Sequence, residues 1–350
     1  MHRVFRLLSS VLLAPLLAHA AAAAIDGERL RDVARHHIVP AYAHLAATTR
    51  GLDEAAARCG EADASALRMR FADAFLAWQG INHLRFGPIQ VLSRDFRFQL
   101  WPDKRGSVTR HVNALLASRD AAQLAPDTFA AGTAAVQGFG ALEYLLYDNA
   151  RSADIDPGWR CRVLRTITAN LARMAADTLA EWRDGEQAHV KMFATAADGN
   201  SYYDSAGEVA GRLLNNLHTA LEHVASNKLG RPLGETADKA SPKRAEAWRS
   251  GLSLDAVKAN LAAAHALYRH AFAPALTDPA LADRIDAAFD AASEAADAIT
   301  PPLAQAVVAA ESRRAVQALQ WQVEVLESLL ADQLAPALGL GLGFNSLDGD

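Results

Sequence analysis

The chain has 350 residues, 51% of them hydrophobic, and a formal net charge of -5 with both signs mixed along its length. That is enough for a sizeable core or for two domains of ordinary size. Alanine, the strongest helix former, is abundant and favours an all-α protein, while the lack of a basic patch with interleaved aromatics argues against a nucleic-acid partner.

Residues 1–20 read as a secretory signal peptide. Arg3 and Arg6 precede an apolar run over residues 7–17, and Ala18-His19-Ala20 supplies a small-residue cleavage pattern. The run is too short to span about 30 Å of hydrocarbon, and no later segment is long and apolar enough to do so. The mature protein is therefore expected in an oxidising compartment outside the cytoplasm, not integral to the membrane. There Cys59 and Cys161 have the opportunity to pair. Spacing leaves the question open, because a bridge needs Cα atoms within about 7 Å.

In chain order, residues 26–49 read as a helix with a kink at Pro40, and residues 64–85 as a second. Leu67, Phe71, Phe75 and Trp78 recur in the second at helical spacing. Residues 89–106 form an aromatic and basic loop containing the turn Trp101-Pro102-Asp103. Helices are expected over residues 108–118 and 127–147, and from Asp156-Pro157, a favourable helix start, to Arg183. Residues 199–205 form a polar joint. Further helices follow over residues 206–228, 254–272, 279–299 and 302–334, with Thr300 as a cap for the last. The Gly-rich tail, with Asn345, Asp348 and Asp350, is polar and non-helical. The expected architecture is two helical-bundle domains, residues 21–198 and 199–350. An Ala-Leu-Glu echo at Glu143 and Glu222 raises the expectation of internal duplication.

Glu143 is the one charge between Asp127 and Asp148. Its helix is apolar on every face and so must be buried. A buried carboxylate needs an Arg partner, a cation, or a proton held by a raised pKa. Gly138 and Gly140, just before it, permit close approach of another backbone. On the helix from Ala206, Glu208, Arg212, Asn215, Thr219, Glu222 and Ser226 share one face. That stripe is either solvated, with a Glu208–Arg212 pair, or lines a polar cleft between the domains. His218 and Glu222 are four apart, a spacing at which two side chains can share a metal. His36 and His37 adjoin and point to different faces, and His83 ends a helix, so each reads as structural. There is no H-E-x-x-H and no G-x-S-x-G.

Several stretches together, "RFGPIQ", "FRFQLWPDKRG", "QGFGALEYLLY", "SAGEVAGRLLNNLHTALEHVASNKLGRPLG", "KRAEAWRSGLSL" and "LGFNSLDGD", resemble the imelysin family. The resemblance covers most of the mature chain. It implies an exported protein of two helical bundles linked to iron uptake or iron-regulated expression, with a candidate metal motif G-x-H-x-x-E near the domain junction. Gly138 and Glu143 match that motif, but Gly140 stands where the His would be, so no His–Glu pair can form there.

The leading expectation is a periplasmic binding or accessory protein in iron acquisition. It would take iron, another divalent or trivalent metal, or an iron chelate between the domains. Glu143 would be a ligand or orienting base, Asp103 and Glu222 further oxygen donors with His218, and Arg105 an anion contact beside Trp101. A cell-envelope interaction module docking through residues 96–101 is the second expectation. A peptidase-like hydrolase comes last, because no catalytic constellation is visible.

Overall fold

A computed structural model describes residues 25–60, 64–148 and 156–343. The expected signal peptide and Asn345, Asp348 and Asp350 lie outside the described residues. Helix α1, Gly27–Val33, starts at Asp26, whose carboxylate accepts the Arg29 N–H at 2.9 Å. It runs through a π-helical turn, Ala34–Ile38, into α2, Val39–Ala56. That turn is how the helix passes Pro40. A proline has no N–H and its ring crowds the carbonyl four residues back. A widened turn, in which the Val39 N–H reaches the Ala34 carbonyl, relieves the conflict. The device recurs. The π-helical turns His223–Gly230, Tyr268–Phe272 and Leu330–Leu334 end two residues before Pro232, Pro274 and Pro336.

Helix α3, Ala64–Gln79, ends earlier than its periodicity suggested, and Leu67, Phe71, Phe75 and Trp78 are all buried. The expected loop contains a short helix, α4, Arg94–Phe98, pinned by the buried Arg94, which forks onto both oxygens of Glu181 at 2.7 Å. Helix α5 is Ser107–Ser118. The single helix expected over residues 127–147 is instead two, α6, Pro126–Ala131, and α7, Phe139–Tyr147. Gly138 precedes α7 because a Cβ there would lie 2.3 Å from the Phe98 carbonyl oxygen and 2.5 Å from that of Arg97. Helix α8, Pro157–Arg183, starts as expected, with Asp156 accepting the Trp159 N–H at 2.6 Å. Cys59 and Cys161 form a disulfide with Cα atoms 5.6 Å apart, tying the end of α2 to the start of α8.

Helix α9, His189–Ala194, leads to α10, Ala206–Glu222. A reciprocal cap sets the start of α10. Ser205 accepts the Glu208 N–H at 3.1 Å, and Glu208 accepts the Asp204 N–H at 2.8 Å. After α11, Arg231–Leu233, come α12, Ser253–Leu267, and α13, Pro279–Asp297. The helix expected over residues 302–334 is interrupted, giving α14, Leu303–Ala306, α15, Ala310–Leu329, and, beyond the π turn, α16, Ala335–Ala337. Thr300 does not cap it; Pro302 holds the cap position of α14 without a side-chain bond.

The chain is all-α, with no strand among the described residues. One bundle packs α2 against α3 and α8; the other packs α15 against α10 and α13, and α12 against α10 and α13. Contacts of α1 with α10 and of α3 with α12 join the two. Each buried Leu, Val or Phe in these faces contributes roughly 1.5–3 kcal/mol. No described helix is long and apolar enough to cross a membrane.

Candidate functional site

The loop between α11 and α12 comes from the second half of the chain and folds back onto α7 in the first. Ala247, in the left-handed region at φ 49°, turns this loop so that Trp248, Arg249 and Ser250 face α7. Glu143 is 6% exposed, and its Oε1 accepts the Ser250 backbone N–H at 2.9 Å and lies 2.9 Å from the Ser250 hydroxyl. Burial raises its pKa above the ordinary carboxylate value; the Ser250 bonds and the nearby Arg249 oppose that shift without cancelling it. The carboxylate's described partners are therefore a serine with an arginine beside it, and it ties the two halves together.

Above this contact lies a cavity of about 550 Å³. Phe71, Phe75, Phe139, Trp101 and Trp248 form aromatic walls, and Lys104, Arg231, Lys243, Arg244 and Arg249 supply positive charge. Arg249 sits 4.5 Å from the centre of the Trp248 ring and Lys243 5.5 Å from it, so cation–π contacts hold the wall in place. Two carboxylates, Glu143 and Asp103, line the cavity. Asp103 caps α5, its oxygens accepting the Ser107 and Val108 N–H groups at 2.8 Å each. Gly140 also lines the cavity, so the His of the G-x-H-x-x-E motif would have projected here. Arg105 is exposed and outside the lining; its neighbour Lys104 takes the place expected for it.

Beneath Trp101 lies a buried polar network with no obvious local sequence signal. The Lys228 ammonium donates to Gln79 Oε1 at 2.7 Å, Glu246 Oε2 at 2.6 Å and Asn260 Oδ1 at 2.6 Å. All three of its N–H groups are thereby used. Burial pushes the Lys228 pKa down, and Glu246 opposes that shift. Gln99 donates to Glu246 at 2.8 Å and accepts from the Trp78 indole at 2.9 Å. Lys228 lies 6.0 Å from the Trp101 ring centre, and His223 meets that ring edge-on at 5.3 Å, so the network supports the cavity wall.

The polar stripe of α10 divides. Glu208 and Arg212 form a partly exposed pair at 2.7 Å away from the aromatic cavity, as a solvated face would. Asn215 and Thr219 line a smaller polar cavity of about 180 Å³ with His223 and Lys228. Glu222 and His218 converge with Glu327 of α15, their ligand atoms all within 4.8 Å of one another. Glu143 is not in that group, so the three residues expected to share a metal, Glu143, Glu222 and His218, fall in two places. Residues 96–101 turn mostly inward: Phe98 is fully buried, while Phe96 is 55% exposed. His37 and His83 are both buried, with their Nε2 atoms 3.4 Å apart.

The Imelysin family model (Peptidase_M75) matches residues 38–330. The chain is 23% identical over 333 residues to "Iron-regulated protein A" of Synechococcus elongatus, covering 90% of this chain and 87% of that protein. Its fold is similar to the crystal structure of an imelysin-like protein from Psychrobacter arcticum, with a TM-score of 0.76 at 24% identity, covering 93% of this chain and 100% of that one. A putative iron-regulated protein A precursor from Parabacteroides distasonis is similar with a TM-score of 0.65 at 14% identity, covering 87% of this chain and 94% of that one. The likeness to these solved structures establishes the fold, and the family match over residues 38–330 establishes that this chain belongs to the imelysin family.

Proposed function

We propose that the protein is a periplasmic accessory of iron acquisition that binds an anionic iron chelate in the cavity between α3, α7 and the loop at residues 243–250. The supporting observation is the charge and shape of the lining. Five basic side chains and five aromatic rings face two carboxylates, one capping α5 and the other bonded to Ser250. Such a lining repels a bare cation and attracts an anion. Arginine forks suit carboxylate groups, and flat aromatic walls suit a ligand with apolar or conjugated parts. Gly140 in place of the motif's His removes the imidazole that a tight ferric or ferrous centre would use, which favours a chelate over a naked ion. Glu143 acts here as the latch that positions the loop carrying Arg249. The iron-regulated relative and the disulfide fit an exported protein of this kind.

The test is a calorimetric and tryptophan-fluorescence titration of the mature protein with ferric citrate, citrate alone and ferric ion alone. Ferric citrate is expected to bind and to quench Trp101 and Trp248. The combined Lys243→Gln, Arg244→Gln variant is expected to lose at least about tenfold in affinity, from two lost charge-assisted contacts. Binding of ferric ion alone with equal strength, or no effect of the double variant, would count against this reading.

A further inference from the structure

A second, separate cluster of donor side chains lies where α10 packs against α15. His218 and Glu222 lie one helical turn apart on α10, and Glu327 reaches them from α15. His218 Nε2 is 3.7 Å from Glu327 Oε1, and all three residues are half-buried. Donors each about 2.1 Å from one tetrahedral ion lie about 3.4 Å apart. The His218–Glu327 pair at 3.7 Å is already near that spacing, and the widest pair, within 4.8 Å, closes by at most about 1.4 Å through side-chain rotation.

We infer that His218, Glu222 and Glu327 form a binding site for a divalent first-row transition cation. One imidazole and two carboxylates are a mixed nitrogen and oxygen donor set. The imidazole favours zinc, iron, cobalt or nickel over calcium and magnesium, which prefer oxygen alone. The three side chains are borne on two long, packed helices, so the donors are held by regular structure and not by a loop. Glu324 adds a further carboxylate close enough to interact with Glu327. Glu222, Glu324 and Glu327 set three carboxylates beside one imidazole at this crossing, an arrangement that a bound cation would neutralise. None of the three residues lines the aromatic cavity, so the site is independent of chelate binding there.

The experiment uses the mature protein with chelator-stripped buffer and three probes, Co²⁺ followed by its visible absorption, Zn²⁺ by calorimetry, and Ca²⁺ as competitor. One Co²⁺ per chain is expected, displaced by Zn²⁺ and not by Ca²⁺. His218→Ala and Glu327→Gln are each expected to weaken Zn²⁺ at least about 100-fold, since even outer-shell changes cost 10–100-fold. Glu327→Gln keeps the side chain's shape and removes a repulsive charge, so it retains the fold, as circular dichroism would verify. Glu143→Gln should leave metal affinity unchanged, and it separates this site from the chelate cavity. Absence of Co²⁺ binding, displacement by Ca²⁺ as readily as by Zn²⁺, or wild-type affinity in the His218 and Glu327 variants would each overturn the assignment.

Discussion

Replacing Lys228 by Met tests what holds the two halves in register. The Glu246 side chain is 3% exposed and relies on Lys228 as its cation at 2.6 Å. Without it, a buried carboxylate remains, together with the Gln79 and Asn260 oxygens that lose a donor at 2.7 Å and 2.6 Å. Removing one partner of a buried pair costs about 3–5 kcal/mol. At about 2.1 cal/mol/K of unfolding entropy per residue, a chain of this length shifts by roughly 1.4 °C per kcal/mol, so the melting temperature should fall by about 4–7 °C. Urea denaturation followed by circular dichroism at neutral pH measures the loss, and Lys228→Met combined with Glu246→Gln should recover part of it. A single variant within about 1 kcal/mol of wild type, or a double variant no more stable than the single one, would refute the account of the network as a buried, charged tie.

Gly138→Ala should destabilise by at least about 3 kcal/mol, the upper range for overpacking. The added carbon would meet two backbone oxygens at 2.3 Å and 2.5 Å that cannot rotate away; a melting temperature equal to that of wild type would contradict this packing. Acid sensitivity follows from His37, whose pKa falls to about 4, first through burial and then through the charge of His270. Because the folded pKa is depressed, its contribution is complete above pH 6.5 and is lost as pH falls towards 4, amounting to roughly 2–3 kcal/mol by pH 4.5. His37→Gln should flatten that part of the stability–pH curve, and identical curves for the two proteins would rule the histidine out.

The sequence by itself determined the helical class, the buried faces of α3 and α10, the Asp156 start of α8, and the need for a partner at Glu143. Each rests on local chemistry: a 3.6-residue repeat, a cap, a charge in an apolar run. It also marked Gly138 as a place of close approach, though not what approaches. Tertiary structure decided the rest. Ser250 reaches Glu143 from 107 residues away, and Lys228 meets Gln79 across 149. Glu327, which completes the group with His218 and Glu222, lies on another helix and carries no periodic mark to join it to them. Arg105 and Lys104 are adjacent in a turn, and only the path of the backbone decides which one lines the cavity. Periodicity states which face of a helix is buried; the partner of that face is set by how the helices cross, and crossing depends on the packing of the whole core.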